Sequence, residues 1–131
     1  MDLSLSGKIA LVGGASQGIG YAIAHLLASE GASVAMVARK EEPLNEACAK
    51  ISAETGAKTF AIPADIRKSA DCERIISQAL AEFKRIDILI NNDGAPPLGE
   101  LESFDDIAWQ KAIEQNLMSV CLLYTSDAAD E

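Results

Sequence analysis

Apolar and polar residues follow two alternating patterns along the chain. Short apolar runs, typical of strands buried on both faces, alternate with longer segments whose apolar residues recur at helical spacing. The four short runs lie within KIALVGG, SVAMVA, KTFAIPA and IDILI. In the second helical segment, the residues at i, i+3, i+4 and i+7 are Leu44, Ala47, Cys48 and Ile51. The pattern predicts four strands and four helices in strict alternation.

Residues typical of helix ends mark where these helices begin and end. Gly31 fits the C-cap of the first helix, and Pro43 fits the first turn of the second. Ser69 is a candidate N-cap of the third helix, and the fourth is expected to begin near Ser103. The apolar stripe of the fourth helix comprises Trp109, Ala112, Ile113, Asn116, Leu117 and Val120. This order of elements requires parallel strands joined by right-handed crossovers, so we predict a doubly wound α/β sheet.

A glycine-rich segment, GGASQGIG, joins the first strand to the first helix. Gly14, Gly18 and Gly20 are spaced G-x-x-x-G-x-G. Gly14 would permit a tight turn, Gly18 would let a diphosphate approach the backbone, and Gly20 would let the helix pack closely. The free N–H groups and positive dipole end of the helix would face the anion. The loop therefore predicts a dinucleotide site, with a merely tight turn as the alternative. It is not a Walker A loop, because no Lys-Ser or Lys-Thr pair follows the glycines.

Composition narrows the classes of function. The 131 residues suffice for one domain and carry a formal net charge of −9. An acidic chain without a cluster of Lys and Arg argues against a nucleic-acid partner. Cys48, Cys72 and Cys121 lack metal-like spacing, so no metal site is predicted and free thiols in the cytoplasm are expected. No apolar run in the sequence approaches the length of a membrane span.

Four motifs over roughly residues 5 to 120 resemble those of the short-chain dehydrogenases/reductases. GGASQGIG resembles the family's TGxxxGIG loop, with Gly13 where Thr is usual, and NNDG resembles the family's NNAG. Asp65 and Ile66 resemble its Asp-hydrophobic pair beside the adenine, and Asn116 in NLMSV resembles its catalytic Asn. The resemblance implies a Rossmann fold with strand order 3-2-1-4. Within the family, the layout is most similar to bacterial 3-oxoacyl-acyl-carrier-protein reductase-like proteins.

The loop and the resemblance together indicate one catalytic residue and a set of cofactor contacts. The catalytic residue is Asn116, for which a buried structural amide that bends its helix is the alternative. The expected cofactor-binding residues are Gly14, Ser16, Gln17, Gly18, Ile19, Gly20, Arg39, Asp65, Ile66, Asn92 and Gly94.

The end of the second strand favours NADP(H) over NAD(H). An acidic residue there would hold the ribose hydroxyls of NAD and repel a 2′-phosphate, but this strand ends in Ala38 followed by Arg39. A guanidinium can grip a phosphate with two hydrogen bonds, and Lys40 adds charge nearby. Gln17 stands where many NADP-preferring relatives carry a basic residue. The alternative is that Arg39 is only a solvated surface charge.

The proton donor of the family's chemistry is missing from this sequence. Carbonyl reduction in the family uses a Tyr within Y-x-x-x-K and a Ser, and no Y-x-x-x-K occurs here. Tyr124 follows Asn116 too soon to be that Tyr. The run CLLYTSDAADE resembles a translated adapter of DNA sequencing libraries, so residues 121–131 are expected to be a non-native tail. A genuine acidic helix end is the alternative. Residues 1–120 would then be the truncated, N-terminal half of an NAD(P)-binding domain.

The expected parent is an oxidoreductase that transfers a hydride between NADP(H) and a carbonyl or alcohol, with a 3-oxoacyl thioester as one candidate substrate. The resemblance implies a homodimer or homotetramer. The fragment itself is expected to bind cofactor without turnover. A non-catalytic NADP(H)-binding or sensing module is the alternative, and Ala38 speaks against a methyltransferase that uses S-adenosylmethionine.

Overall fold

The computed structural model describes residues 2–92, 100–103 and 105–114. Its strands are β1 Ile9–Val12, β2 Ser33–Ala38, β3 Thr59–Pro63 and β4 Ile88–Ile90. Its α-helices are α1 Gly18–Ser29, α2 Glu41–Thr55, α3 Ser69–Phe83 and α4 Asp106–Ile113, and a 3₁₀ turn spans Leu101–Ser103. The predictions for Gly94, Asn116, Tyr124 and the tail lie outside the described residues.

The strands form one parallel sheet in the order β3-β2-β1-β4. Leu11 at the centre of β1 pairs with Ala35 of β2 on one side and with Leu89 of β4 on the other. The helices connect the strands in turn, because parallel neighbours require a crossover between them. The predicted doubly wound sheet and its strand order are confirmed.

Side chains alternate along each strand to build two apolar layers, one on each face of the sheet. Val34 and Met36 of β2 face α1 and α2, whereas Ala35 and Val37 face α3. The predicted inner face of α2 is confirmed, since its buried residues are Leu44, Ala47, Cys48 and Ile51. A sheet covered on both faces keeps its strands rigid, and their carboxyl ends become fixed points on which loops can be built.

Two helix starts differ from the sequence-based expectation. Ser69 is the first residue of α3 rather than its cap, since Lys68 holds the extended N-cap conformation. The fourth helix begins at Asp106, three residues after Ser103, because the Asp105 carboxylate accepts a hydrogen bond from the N–H of Ala108 at 2.8 Å. Its apolar stripe is not buried at two described positions, since Trp109 is 44% exposed and Ile113 is 41% exposed.

Among the described helices, none has the length and apolar character needed to cross a membrane.

Candidate functional site

A pocket of about 490 Å³ opens at the carboxyl ends of the strands. The loop after β1 forms one wall, and the ends of β2 and β3 form the other. Ligands of doubly wound sheets bind at this edge, beside the point where the strand order reverses. The residues lining the pocket are Gly14, Ser16, Gln17, Gly18, Ile19, Val37, Ala38, Arg39, Lys40, Pro43, Ala64, Asp65, Ile66 and Asn92.

Two glycines of the loop adopt backbone conformations that other residues rarely take. Gly14 has φ +56° and Gly18 has φ +63°. A Cβ atom on Gly18 would meet no described atom within 4 Å, so the backbone here faces open space in the pocket. A bound group can therefore approach the Gly18 backbone directly, as the glycine spacing predicts.

Gly20 has a different role, because it is buried beneath the loop. A Cβ atom there would collide with the carbonyl oxygen of Gly14 and would lie 2.8 Å from Nδ2 of Asn92. The Asn92 amide in turn donates a hydrogen bond to the carbonyl oxygen of Gly13 at 3.2 Å, and the N–H of Gly13 donates to Ile90 at 3.1 Å. The start of α1, the glycine loop and the turn after β4 are thus packed backbone against backbone.

The first turn of α1 presents free N–H groups to the pocket. Gln17 is the N-cap residue, and within the described part of the chain its side chain makes no capping hydrogen bond. The first turn also carries no acidic residue. The positive end of the helix dipole is therefore left uncompensated beside Gly18, which favours an anionic group at this position.

Two cations lie at the far end of the pocket, where β2 ends. Arg39 and Lys40 are exposed and line the pocket directly after Ala38. Ala38 leaves room and adds no negative charge at the strand end. This part of the pocket therefore suits a second anionic group, and a guanidinium can hold it with two parallel hydrogen bonds.

Asp65 forms the opposite side of this end, and its carboxylate is held by Arg67. Oδ1 accepts hydrogen bonds from Arg67 Nε at 2.9 Å and from the Arg67 N–H at 3.0 Å, and Oδ2 accepts one from Nη2 at 2.9 Å. These bonds from Arg67 hold the pKa of the Asp65 carboxyl below its ordinary value, and the charge of Arg39 acts in the same direction. Asp65 is therefore ionised at neutral pH.

The loop that carries Asp65 is tied to the start of α3. Asp71 Oδ2 accepts a hydrogen bond from the N–H of Asp65 at 2.8 Å, and the Cys72 thiol donates to the carbonyl oxygen of Ile66 at 3.1 Å. Arg74 donates to the carbonyl oxygen of Pro63 at 2.8 Å. Burial raises the pKa of the Cys72 thiol to about 11, so the thiol keeps its proton and remains a donor.

The structure gathers most of the predicted cofactor-binding residues around one pocket. Those that line it are Gly14, Ser16, Gln17, Gly18, Ile19, Arg39, Asp65, Ile66 and Asn92. Gly20 lies beneath the loop instead, and Gly94 and Asn116 fall outside the described residues. In the part of the chain that the structure describes, no cluster of three His, Cys, Asp or Glu residues could hold a metal ion.

Sequence reasoning missed the apolar wall of the pocket and the support of Asp65. Val37 and Ala64 lie at the ends of β2 and β3, so the rule that ligands bind at the carboxyl ends of strands would have identified both. The roles of Arg67 and Asp71 were harder to predict from the sequence, because they depend on hydrogen bonds that residue spacing alone does not reveal.

The sequence of residues 8–129 matches the model of the family described as short chain dehydrogenase. The chain belongs to the short chain dehydrogenase family. Two similar family members are 11-beta-hydroxysteroid dehydrogenase 1A of Arabidopsis thaliana, 38% identical over 84% of this chain, and the rhamnolipids biosynthesis 3-oxoacyl-[acyl-carrier-protein] reductase of Pseudomonas aeruginosa, 42% identical over 89%. Among solved structures, L-sorbose reductase from Gluconobacter frateurii, complexed with NADPH and L-sorbose, is 30% identical with a TM-score of 0.95 over 98% of this chain.

This short chain dehydrogenase sequence spans a third to a half of the length of those relatives. It covers 32% of the Arabidopsis enzyme, 45% of the Pseudomonas reductase and 49% of the L-sorbose reductase chain. The described residues thus correspond to the part of the family fold that carries the glycine loop and the first four strands.

Proposed function

We propose that the chain forms the NADP(H)-binding half of an oxidoreductase that transfers a hydride between NADP(H) and a carbonyl or alcohol. The observation that carries the proposal is the pocket, which places an uncapped helix N-terminus at one end and two cations at the other. A dinucleotide with a 2′-phosphate has anionic groups at both places, the diphosphate and the phosphate on the ribose.

The proposed arrangement follows the lining of the pocket. The backbone of Gly14 and Gly18 and the first turn of α1 bind the diphosphate, with Ser16, Gln17 and Ile19 beside it. Arg39 binds the 2′-phosphate with Lys40 in support, and Asp65 and Ile66 border the adenine. In the proposal, Asn92 borders the nicotinamide half of the cofactor. Gly94 and Asn116, the proposed catalytic residue, come later in the chain and belong to the same part of the site.

The preference for NADP(H) rests on the charge at the end of β2. The L-sorbose reductase structure reported above was solved with NADPH, and the basic pair after Ala38 is the feature of this chain that suits the extra phosphate. The nicotinamide ring would supply the hydride chemistry once bound.

A binding experiment tests this preference. We expect Arg39→Gln to raise the dissociation constant for NADPH by about 10- to 100-fold, because it removes charge-assisted hydrogen bonds. The dissociation constant for NADH should change little. Titration followed by nucleotide fluorescence measures both.

The matched control is Lys58→Gln, which removes one exposed positive charge at the opposite edge of the sheet, before β3. If both variants weaken NADPH binding equally, the effect is one of net charge and Arg39 has no specific role.

For the whole protein we propose catalysis, with a 3-oxoacyl thioester as one candidate substrate. We also propose that it assembles as a homodimer or homotetramer and that it is located in the cytoplasm. The second candidate function is a non-catalytic NADP(H)-binding or sensing module, in which the same pocket would bind the cofactor without turnover. Loss of NADPH absorbance with ketone substrates separates the two, since a sensing module would bind NADPH and consume none.

A further inference from the structure

The Asp65 carboxylate is oriented by three hydrogen bonds from one neighbouring residue, Arg67. Arg67 supplies its N–H, Nε and Nη2 to the two carboxylate oxygens, all within 3.0 Å. A guanidinium forks onto a carboxylate in one plane, so this pairing fixes the rotation of the carboxylate as well as its position. The Asp65 side chain is 17% exposed and that of Arg67 is 30% exposed, so water competes little for these bonds.

These hydrogen bonds leave the two carboxylate oxygens of Asp65 with different numbers of open acceptor positions. A carboxylate offers about four lone-pair positions, two on each oxygen. Among the described residues, Oδ1 accepts two hydrogen bonds and Oδ2 accepts one, from Nη2 of Arg67. Oδ2 therefore keeps an acceptor position. Because the carboxylate is ionised, that position can receive a proton donor and repels another acceptor.

The backbone beneath Asp65 is fixed independently of Arg67. Asp71 accepts the N–H of Asp65, the carbonyl oxygen of Asp65 accepts the N–H of Lys68 at 3.0 Å, and Cys72 donates to Ile66. With the backbone held from α3, removal of the Arg67 side chain should leave Oδ1 bonded only to the backbone N–H of residue 67 and should free Oδ2 to turn, while the loop stays in place. Arg67 is therefore expected to act on the pocket through the orientation of Asp65.

We propose that Arg67 is a positioning residue that aims Oδ2 of Asp65 into the pocket and so makes the site select a purine with an exocyclic amino group over one with an oxo group. The proposal rests on the proposed function, since it needs the adenine of the cofactor to border Asp65. An adenine amino group donates to Oδ2, whereas the carbonyl of hypoxanthine would place two acceptors against each other.

The experiment compares two cofactors that differ at this one group. The dissociation constants of NADP⁺ and of nicotinamide hypoxanthine dinucleotide phosphate are measured for the chain and for its Arg67→Leu and Arg67→Lys variants. We expect the chain to prefer NADP⁺ by about tenfold or more, as sites built to hydrogen-bond a substrate group do. Arg67→Leu should bring that ratio close to one, and Arg67→Lys should give an intermediate ratio, because a lysine keeps the charge and loses the fork.

The chain offers a matched control in Arg85. Its Nε donates to the carboxylate of Asp87 at 2.9 and 3.2 Å, an ion pair of the same two-residue spacing at the opposite edge of the sheet. Arg85→Leu should cost similar stability and leave the ratio of the two dissociation constants unchanged.

A pH series adds a readout that a purely structural role would not move. The side-chain hydrogen bonds from Arg67 are the largest cause that lowers the pKa of Asp65, so Arg67→Leu, which removes them and keeps the backbone N–H, should raise the pH below which NADP⁺ binding declines. The Arg85→Leu control should leave this lower limit of the pH profile in place.

The outcomes separate the two proposals. Equal weakening of both cofactors by Arg67→Leu, with the ratio kept, would show a structural role only and overturn this inference. A chain that binds both cofactors with equal affinity overturns it as well and leaves the proposed function standing. A chain that is folded by circular dichroism and binds neither cofactor overturns both. Should Arg67→Leu fail to fold, the ratio for Arg67→Lys decides, and an unchanged ratio there counts against the inference.

Discussion

At the scale of single residues, the glycines of the loop are required for two different physical reasons. Gly18 is needed for its φ of +63°, although a side chain there would have room. Gly20 is needed because the site has no room for a side chain: a Cβ atom there would press on the backbone oxygen of Gly14. A backbone oxygen cannot swing aside as the end of a flexible side chain can, so relief would require the loop itself to move.

Alanine substitutions at these two glycines should therefore both lower stability, but for different reasons and by different amounts. For Gly18→Ala we expect a cost of about 1 kcal/mol from the left-handed backbone, and a much weaker cofactor affinity because the methyl group fills the approach to the backbone. For Gly20→Ala we expect a net loss of about 2 kcal/mol or more, because overpacking outweighs the gain of about 1 kcal/mol in helix propensity.

Urea denaturation measures the stability of both variants, and NADPH titration measures their binding. Equal losses of stability would contradict the distinction between strain and crowding. Unchanged NADPH binding by Gly18→Ala would contradict direct approach of the cofactor to this backbone.

The candidate site could be predicted at those positions where a residue type has one dominant physical use. Glycines at a strand–helix junction and a basic residue at the end of β2 are such cases, and the structure brings Gly14, Gly18 and Arg39 to one pocket. The pairing of Asp65 with Arg67 was not predictable in this way. An Asp two residues before an Arg forms this fork only when the backbone between them turns, and the turn is imposed by contacts with α3.

At the scale of elements, Asp87 fixes how β4 meets β1. Its carboxylate accepts the N–H of Ile9 at 2.8 Å, and its own N–H donates to the carbonyl oxygen of Ile9 at 2.8 Å. Arg85 holds that carboxylate and also donates to the carbonyl oxygen of Gly7 at 2.6 Å. A single residue thus closes the end of the ladder in which Ala10 pairs with Ile88.

Substitution of Asp87 should reveal this role. We expect Asp87→Ala to lower the free energy of unfolding by about 1–3 kcal/mol, because the N–H of the buried Ile9 loses its acceptor. Asp87→Asn should cost less, since the amide oxygen can still accept that hydrogen bond. Urea denaturation near neutral pH measures both values.

The effect of Asp87 should also depend on pH. The hydrogen bond from Ile9 and then the side chain of Arg85 hold the pKa of Asp87 below its ordinary value. A carboxyl with a lowered pKa stabilises the fold fully above its unfolded pKa, about 3.9, and loses that contribution as the pH falls through its folded pKa. The difference between the chain and Asp87→Ala should be constant from neutral pH to about pH 5 and should shrink below about pH 4. A difference that persists unchanged into strong acid would contradict this assignment.

The elements themselves were predictable because most of them bury a regular pattern. The bounds of β2 match the apolar run SVAMVA, and the buried face of α2 is the one its spacing indicates. The start of α4 was not predicted, because Ser103 and Asp105 are both acceptable caps by residue type. The choice between them depends on the 3₁₀ turn at Leu101–Ser103, which the apolar pattern does not encode.

At the scale of the whole molecule, the net negative charge opposes self-association of the chain through apolar side chains that are exposed or half-buried at its surface. Leu89 and both isoleucines of β4 are half-buried, and α4 exposes Ile107, Trp109 and Ile113. The chain carries a formal charge of −9 near neutral pH and has a sequence pI of about 4.5. Electrostatic repulsion is therefore strong at neutral pH and vanishes near the pI.

Solubility should follow this balance. We expect light scattering from the purified chain to rise toward a maximum near pH 4.5 and to fall again at neutral pH. Added salt at neutral pH should increase scattering, because it screens the repulsion. Circular dichroism at each pH separates association of the folded chain from acid unfolding. Light scattering that changes with neither pH nor salt would show that charge does not limit association.

The contacts of Asn92 have a consequence for how this sequence can diverge. The carbonyl oxygen of Asn92 lies 2.6 Å from the position that a Cβ atom on Gly13 would take. Its side-chain Nδ2 lies 2.8 Å from the positions that Cβ atoms on Gly14 and Gly20 would take. A lineage that acquires the threonine usual in the family at position 13 must first shift the turn that carries Asn92. These four positions, although 79 residues separate Gly13 from Asn92, are therefore expected to evolve as one unit in which the order of substitutions matters. A change that is harmless in a relative is expected to destabilise this chain until its partner has changed.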